Sequence, residues 1–209
     1  MRIKLWIRAM RAPFFVATAM PGILGAAMAW SREGRFSLTY LILTILGVAA
    51  INAGTNLAND YFDHHADWTG TDDINKENNP FGGGSHVIQE KLLSARSMLI
   101  GAFIAYAIAA IIGIYLVLKV GTFILVLGAI GILAGYFYTA PPFRFSYRGL
   151  GEIAVGIACG VLPVLGSYYV QVGKITMEVF IVSIPMGFLL ANLLWLNQFP
   201  DYEADKIGG

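Results

Sequence analysis

Long apolar stretches alternate with short polar segments along this 209-residue chain. A transmembrane α-helix needs about 20 predominantly apolar residues to cross the hydrocarbon core of a bilayer. Six stretches approach that length: Pro13 to Trp30, Leu38 to Ala58, Met98 to Leu118, Thr122 to Tyr138, Ile153 to Val170 and Val179 to Phe199. The fourth and fifth are short for a span. The pattern predicts an all-α fold, a multi-span transmembrane helical bundle with six spans, in a single domain over residues 1–209.

The composition is typical of a membrane protein. Hydrophobic residues make up 57% of the chain, charged residues only 13%, and the mean hydropathy is +0.66. Soluble domains carry about 25% charged residues, so the composition excludes an ordinary soluble enzyme. A cleavable signal peptide is an alternative for the basic N-terminus and its apolar run, although five further spans favour a retained helix. Cys159 is the single cysteine, so no disulfide framework is expected.

The basic residues predict the orientation of the bundle. With six spans, the N-terminus, the loops after the second and fourth spans, and the C-terminal tail share one side of the membrane. The other side carries four of the 14 Lys and Arg residues, which are Arg32, Arg35, Lys119 and Lys174, and the first side carries the remaining ten. The positive-inside rule then places the first side in the cytoplasm. The lipid bilayer is the expected surrounding, and no nucleic-acid partner is expected.

Two acidic clusters lie at the ends of apolar stretches on this same side. If the second span continues as a helix, with 100° between successive residues, the polar residues of the first cluster share one face. That face carries Asn52, Asn56, Asn59, Asp60, Asp63 and Asp67. In the second cluster, Asp201 and Asp205 are one helical turn apart and follow Asn197, whereas Glu203 points away. Each cluster therefore presents carboxylates and an Asn in one direction.

Carboxylates at the mouths of membrane helices are costly, and their clustering indicates that they bind a cation. Oxygen ligands without paired Cys or His favour a hard ion such as Mg²⁺, which completes its shell with substrate phosphate. Arg144 and Arg148, between the fourth and fifth spans, are candidate phosphate contacts because the guanidinium is a planar fork. Together these residues predict a membrane enzyme that acts on a diphosphate. The alternatives are surface acids that cap helices and arginines that serve only as positive-inside anchors.

Three segments carry a resemblance to a known family. They are Asn59-Asp60-x-x-Asp63-x-x-x-Asp67, the loop from Tyr138 to Gly149 that continues to Glu152, and Asp201-x-x-x-Asp205. Their order resembles that in the UbiA-type superfamily of intramembrane aromatic prenyltransferases. The segments NLANDYFD, GGGSHVIQEKLLS and NQFPDYEADK are similar to the branch that prenylates 1,4-dihydroxy-2-naphthoate in menaquinone synthesis. The resemblance covers nearly the whole chain.

The resemblance implies Mg²⁺-dependent transfer of a prenyl chain from a polyprenyl diphosphate to an aromatic acceptor, 1,4-dihydroxy-2-naphthoate, at the cytoplasmic face of the cell membrane. It implies that Mg²⁺ is held by Asn59, Asp60, Asp63, Asp67, Asp201 and Asp205. Of these, the residues expected to be catalytic are Asp63, Asp67, Asp201 and Asp205. The expected substrate contacts are Asn59, Arg144, Arg148 and Arg11. Further candidates by position are Asn56, Lys91 and Tyr138, although a solvated Lys and an aromatic belt that includes Tyr138 and Tyr147 are the alternatives.

The acceptor stays open between 1,4-dihydroxy-2-naphthoate and others that the same motifs serve, namely 4-hydroxybenzoate, haem, chlorophyllide or a glycerolipid. Outside enzymes, acids at span ends could line a cation path. Transport, however, predicts carboxylates near mid-span and repeated half-chains. The family fold has about nine spans, whereas this chain stops ten residues after Phe199. We therefore expect it to lack about three C-terminal helices.

Overall fold

The structure of the protein, a computed structural model, describes residues 2–65 and 84–198. Every regular element in these two ranges is helical. The α-helices are α1 Arg2–Ala9, α2 Phe14–Glu33, α3 Leu38–His65, α4 Ala95–Val120, α5 Phe123–Tyr136, α6 Gly151–Val155, α7 Leu162–Val172 and α8 Met177–Gln198. A 3-10 turn, Phe145–Arg148, follows α5, and a π-helical turn, Gly156–Val161, joins α6 to α7. The predicted all-α fold is confirmed.

Five helices of the described ranges are long and apolar enough to cross a membrane. They are α2, α3, α4, α8 and the continuous helix Gly151–Val172, which contains α6, the π turn and α7. The fourth predicted span forms only the 14 residues of α5. This is about 21 Å of helix, against a hydrocarbon core of about 30 Å. Pro141 and Pro142 follow soon after α5, and residues before a proline disfavour helix. The chain is an integral, multi-span membrane protein, and the helix at the fourth predicted span is shorter than predicted and too short to be counted among the five.

Helix α3 continues the second predicted span beyond Ala58 as far as His65. Neither Gly nor Pro occurs between positions 55 and 65, so nothing in the sequence interrupts the helix there. The continuation carries the first acidic cluster about two turns beyond the apolar part of the span. We call this end of the bundle, marked by Asp60 and Asp63, the polar end. The opposite end, where α3 begins at Leu38, is called the far end.

The helices approach one another most closely at glycines. A Cβ atom added to Gly25 in α2 would lie 2.2 Å from the carbonyl oxygen of Val164 in α7. One added to Gly160 in the π turn would lie 2.6 Å from the Cα of Gly187 in α8. Lipid gives no hydrophobic drive for helix association, so membrane helices rely on close contacts that small residues permit. These glycines therefore set the spacing of α2 and α8 against the Gly151–Val172 helix.

Buried apolar side chains form three clusters that leave open space between them. At the polar end, Leu57 of α3 and Met98 of α4 pack together. Tyr168 of α7 lies at the centre of a second cluster with residues of α2 and α8. At the far end, Leu116 of α4 and Val170 of α7 pack beside the start of α5. The clusters hold the helices apart around a central cavity.

Helix α1 and the segment 84–94 lie together at the polar end. Arg8 donates two hydrogen bonds to the Glu90 carboxylate, at 2.8 Å from Nη1 and 2.6 Å from Nη2. These bonds raise the pKa of Arg8, so the pair stays ionised. Both side chains are well exposed, and such a pair contributes about 1 kcal/mol or less. The buried side chains of Ala9 and Val87, which belong to the same apolar cluster as Leu57, do more to hold the two segments in place.

Candidate active site

An elongated cavity of about 640 Å³ lies between the helices. Helix α3 lines it from Leu43 near the far end to Asp63 at the polar end, a length of about 30 Å. The character of this wall changes along its length. Towards the far end it is mainly apolar, as at Val48 and Ile51. From there to the polar end the cavity is lined by Asn52, Thr55, Asn56, Asn59, Asp60 and Asp63. The cavity therefore has an apolar body and a polar mouth.

The other walls of the cavity body are apolar. The π turn contributes Cys159, α7 contributes Pro163, and α8 contributes Leu190. Leu116 and Val170, which line the cavity as well as belonging to the far-end cluster, close it at that end. The thiol of Cys159 thus faces a largely apolar space, in keeping with its expected behaviour as a small hydrophobic residue.

Several separate segments bring polar side chains to the mouth of the cavity. The turn between α1 and α2, helix α3, the segment after position 83, the 3-10 turn and the last turn of α8 provide Arg11, Asn59, Asp60, Asp63, Ser85, Tyr147 and Asn197. The predicted polar face of α3 lies on this wall as far as the structure describes it. The fold therefore assembles the mouth from parts of the chain that are far apart in sequence.

Asp63 lies at the centre of the mouth and is half-buried. Its Oδ2 accepts a hydrogen bond from Asn59 Nδ2 at 2.6 Å, one turn earlier in α3. Its Oδ1 accepts from the hydroxyl of Tyr147 at 2.5 Å. These two neutral donors orient the carboxylate. The Asn59 amide donates through its NH₂, which leaves its carbonyl oxygen as an acceptor at the cavity wall.

Asp60 is more deeply buried and has a charged partner. Its Oδ1 accepts from Arg11 Nη2 at 3.0 Å and from the backbone N–H of Ser85 at 3.4 Å. Its Oδ2 accepts from the Ser85 hydroxyl. The carboxylate thus ties α3 both to the turn before α2 and to the segment before α4.

Asn56 is engaged within the protein. Its Nδ2 donates to the carbonyl oxygen of Met10 at 2.9 Å and to Asn52 Oδ1 at 3.0 Å. The first bond fixes the turn between α1 and α2 against α3. The structure places Asn56 on the cavity wall, and its proposed contact with substrate stays a prediction.

The loop after α5 folds back on itself and brings Tyr138 and Tyr147 to the mouth. The backbone N–H and the hydroxyl of Ser146 both donate to the Tyr138 carbonyl oxygen, at 2.9 and 2.8 Å. Burial raises the pKa of the Tyr138 hydroxyl, so this side chain stays protonated. Both tyrosines line the cavity.

Three predicted phosphate contacts do not line the cavity. Arg144 is exposed, with its guanidinium 5.8 Å from the centre of the Tyr147 ring. Arg148 is exposed and donates to the Pro142 carbonyl oxygen at 3.0 Å. Lys91 lines a second pocket together with other residues of the segment 84–94 and His64. The structure therefore brings Arg11 to the mouth but leaves these three side chains outside it.

The remaining predicted ligands, Asp67, Asp201 and Asp205, lie outside the described residues. The last described turn of α8 nevertheless bears on the second motif. Asn197, which precedes Asp201 by four residues in the sequence, lines the cavity. Residues 18–209, which include both acidic motifs, match the profile of the UbiA prenyltransferase family. The chain belongs to this family.

The chain is similar to UbiA-family proteins that act on naphthalene-ring acceptors according to their names. The chain is 28% identical to 1,4-dihydroxy-2-naphthoate octaprenyltransferase of Bacillus subtilis over 92% of its own length and 59% of the relative's. It is 29% identical to 2-carboxy-1,4-naphthoquinone phytyltransferase of Synechocystis over 99% of its length and 64% of the relative's. It is 26% identical to 1,4-dihydroxy-2-naphthoate octaprenyltransferase of Escherichia coli over its whole length and 67% of the relative's. The chain therefore spans about three-fifths to two-thirds of the length of these relatives.

Family membership raises the question of whether the mouth suits a divalent metal. The described residues include no group of three or more His, Cys, Asp or Glu side chains that could hold one. Mg²⁺, however, is usually bound by one or two carboxylates together with substrate phosphate and water. Asp63 and the Asn59 carbonyl offer hard oxygen atoms on one wall. The described part of this UbiA-family mouth therefore fits a share of an all-oxygen Mg²⁺ site.

Sequence reasoning missed two residues of the mouth. Its position near a span end predicts an aromatic-belt role for Tyr147, yet its hydroxyl donates to Asp63. Ser85 lies in the glycine-rich segment that resembles the family, and its hydroxyl donates to Asp60. The proximity of Tyr147 to the candidate Arg144 and Arg148 was a signal for the first. Nothing in the local pattern around Ser85 pointed to a partner 25 residues earlier.

Proposed function

We propose that the full-length protein is a membrane-embedded prenyltransferase. It transfers a prenyl chain from a polyprenyl diphosphate to an aromatic acceptor and depends on Mg²⁺. The observation that carries the proposal is the cavity itself, which is about 30 Å long, has carboxylate, amide and guanidinium groups at one end and has apolar walls towards the other. A polyprenyl diphosphate has the same division between a charged head and an apolar chain.

The residues of the mouth have distinct roles in this proposal. Asp63 and Asn59 would hold Mg²⁺, together with Asp67, Asp201 and Asp205. Tyr147 keeps the Asp63 carboxylate oriented through its hydroxyl. The metal held there would supply positive charge against the departing diphosphate. Arg11 adds a positive charge at the same end of the cavity.

The apolar walls around Ile51 and Pro163 serve the second part of the reaction. As the diphosphate departs, the allylic fragment gains positive charge, and water would capture it if present. Apolar side chains keep water out, so an electron-rich ring carbon of the acceptor attacks the allylic carbon instead. The carbon–oxygen bond to the diphosphate breaks, and the attacked ring carbon loses its carboxyl group as CO₂ to restore the aromatic ring. No nucleophilic side chain is required.

We propose 1,4-dihydroxy-2-naphthoate as the acceptor. The support comes from the names of the relatives, which specify 1,4-dihydroxy-2-naphthoate in Bacillus subtilis and Escherichia coli and 2-carboxy-1,4-naphthoquinone in Synechocystis. All three names describe a naphthalene ring that carries oxygen substituents and a carboxyl group. We also propose that the polar end faces the cytoplasm, because the basic residues concentrate there.

The decisive experiment incubates membranes containing the full-length protein with a labelled polyprenyl diphosphate and a panel of acceptors, followed by mass analysis of the products. The panel contains 1,4-dihydroxy-2-naphthoate, 4-hydroxybenzoate, haem, chlorophyllide and a glycerolipid. We expect 1,4-dihydroxy-2-naphthoate to give a prenylated product that has lost the carboxyl group as CO₂, and we expect no product after EDTA treatment. If a different compound of the panel is prenylated, that compound and not 1,4-dihydroxy-2-naphthoate is the acceptor. Absence of any product would contradict the proposed activity.

A pair of acid-to-amide variants tests the metal site. Asp63→Asn keeps the shape of the side chain but removes its charge, so we expect turnover to fall at least about 100-fold with membrane insertion unchanged. Glu178→Gln is the matched control, because Glu178 lies at the far end and pairs with Arg32. It should retain turnover. Equal turnover in the two variants would remove Asp63 from the proposed site.

A further inference from the structure

Two amide side chains on the cavity wall of α3 have an orientation that is fixed from outside the helix. Asn56 Nδ2 lies 2.9 Å from the carbonyl oxygen of Met10, which can only accept a hydrogen bond. This contact determines which end of the Asn56 amide is the nitrogen. The same Nδ2 lies 3.0 Å from the side chain of Asn52, whose atom there is therefore the acceptor Oδ1. Met10 thus orients the Asn52 amide through Asn56.

This orientation leaves one donor group and one acceptor atom of the pair for a ligand. Asn56 uses both of its N–H groups, on Met10 and Asn52, and keeps its carbonyl oxygen Oδ1. Asn52 uses its carbonyl oxygen and keeps its NH₂. Neither Asn52 Nδ2 nor Asn56 Oδ1 has a hydrogen-bond partner among the described residues, and neither atom is fully enclosed by protein. Both side chains line the cavity.

The polar side chain between these two amides has no donor to spare. The Thr55 hydroxyl donates to the Ile51 carbonyl oxygen at 3.0 Å, and its Oγ1 lies 3.3 Å from the hydroxyl of Tyr106. A Thr hydroxyl has a single hydrogen, so Tyr106 is the donor in the second contact. Within the stretch from Ile51 to Asn56, which the structure describes throughout, the side-chain donor left for a ligand is therefore the NH₂ of Asn52.

The two amides lie between the charged end of the cavity and its apolar body. Asn56 precedes Asp63 by about 10 Å along the helix axis, and Asn52 is one turn further away. Ile51, next to Asn52, begins the apolar part of the wall. An acceptor ring has to lie beside the allylic carbon, just beyond a diphosphate bound near Asp63. The ring would therefore lie against this stretch of α3.

A free donor and a free acceptor together match a hydroxyl group. A hydroxyl can accept a hydrogen bond from the Asn52 NH₂ and donate one to Asn56 Oδ1, so both protein groups gain a partner. An ionised carboxylate can only accept, and it would face the Asn56 carbonyl oxygen with no proton between them. The carboxyl group of the proposed acceptor also leaves as CO₂, whereas its ring hydroxyls stay in place. The pair therefore suits a ring hydroxyl.

We propose that Asn52 binds a ring hydroxyl of the aromatic acceptor and selects hydroxylated aromatic compounds as acceptors. Its NH₂ donates to the hydroxyl oxygen, and the hydroxyl donates to Asn56 Oδ1. The Met10 carbonyl is a positioning group, because it acts on the acceptor only through the two amides. The inference rests on the proposed function and extends it to the acceptor side of the cavity.

The test compares two fragments of the proposed acceptor as inhibitors of prenyl transfer by the full-length protein in membranes. One is 1,4-dihydroxynaphthalene, which lacks the carboxyl group, and the other is 2-naphthoate, which lacks the hydroxyls. Asn52→Leu removes the NH₂ at similar side-chain volume. It should weaken inhibition by 1,4-dihydroxynaphthalene, and raise KM for 1,4-dihydroxy-2-naphthoate, by about three- to tenfold each. Inhibition by 2-naphthoate and KM for the polyprenyl diphosphate should stay within about twofold of wild type.

A control variant separates acceptor binding from a general effect on the bundle. Ser183→Ala also removes a buried polar group inside the bundle, but the Ser183 hydroxyl donates to the Phe180 carbonyl oxygen at 2.6 Å within α8. It should leave both inhibition constants and both KM values unchanged. Should Asn52→Leu fail to fold, Asn52→Ala removes the same NH₂ with less bulk and should give the same pattern.

Each outcome decides the proposal. Weaker inhibition by 2-naphthoate with unchanged inhibition by 1,4-dihydroxynaphthalene would show that the amide holds the carboxylate instead. Equal losses for both fragments and for the polyprenyl diphosphate would show that Asn52 has a structural role. Unchanged values throughout would remove Asn52 from the acceptor site. In these three cases the inference is wrong while the proposed function stands. If wild-type protein did not prenylate 1,4-dihydroxy-2-naphthoate, the proposed function itself would fail.

Discussion

Replacing Gly160 by Ala should loosen the bundle measurably. The new Cβ would lie 2.6 Å from the Gly187 Cα, 2.8 Å from its nitrogen and 2.9 Å from the Met186 carbonyl oxygen. All three are backbone atoms of α8, so no flexible side chain can move aside. Restoring a 3.4 Å contact requires α8 to retreat by about 0.8 Å, which is 3.4 less 2.6. Overpacking of this kind costs about 1 to 3 kcal/mol.

The assay is thermal unfolding of the purified protein in detergent. For a chain of this size, each 1 kcal/mol lowers Tm by about 2 to 4 °C, so Gly160→Ala should lower it by roughly 2 to 12 °C. Gly128→Ala, in α5, is the matched control because a Cβ there has no heavy atom within 4 Å. It should keep or slightly raise Tm. Equal Tm values for the two variants would refute the argument that backbone contact between the π turn and α8 is tight.

The remaining predictions concern the mouth and the orientation. Tyr147→Phe removes the hydroxyl that donates to Asp63, so kcat/KM should fall about 5- to 30-fold. Because this hydrogen bond is partly exposed to water, we expect a fall in the lower part of that range. Unchanged kinetics would mean that the bond is dispensable. After replacement of Cys159, a cysteine at Phe143 should react with an impermeant reagent only from the cytoplasm and one at Phe36 only from outside. The opposite pattern would invert the proposed orientation.

Hydrophobic patterning predicted the helical fold because a membrane span must satisfy all its backbone groups internally. It placed α2, α4 and α8 within a few residues of their observed ends. It overestimated the fourth span, since apolar residues continue to Tyr138 while the helix stops at Tyr136 ahead of Pro141. It underestimated the fifth span, because Gly151 and Glu152 begin the helix before the apolar run does. Hydropathy detects the membrane environment and not the backbone signals that end a helix.

Helical periodicity was sufficient to place Asn52, Asn56 and Asp63 on one wall, because all belong to a single uninterrupted helix. It could not show that Asp60 is enclosed, since the enclosing groups come from Arg11 and Ser85, 49 and 25 residues away in sequence. The sequence likewise indicated that arginines near the acidic motifs contact the diphosphate. It did not show that Arg11 lines the cavity whereas Arg144 and Arg148 do not. Contacts between distant segments depend on tertiary packing, which one sequence does not reveal.

The order of side chains along α3 determines where bond breaking would occur in the proposed reaction. A diphosphate bound near Asp63 leaves its prenyl chain to run along the same wall towards Leu43. The stretch between them passes Asn56, whose amide is committed to Met10 and Asn52 and therefore does not recruit water through those donors. Beyond the allylic carbon, the wall of α3 becomes apolar at Ile51, about three helical turns from Asp63. Charge separation is stabilised at the mouth and water is scarce beyond it, so the aromatic acceptor becomes the nucleophile that the site supplies.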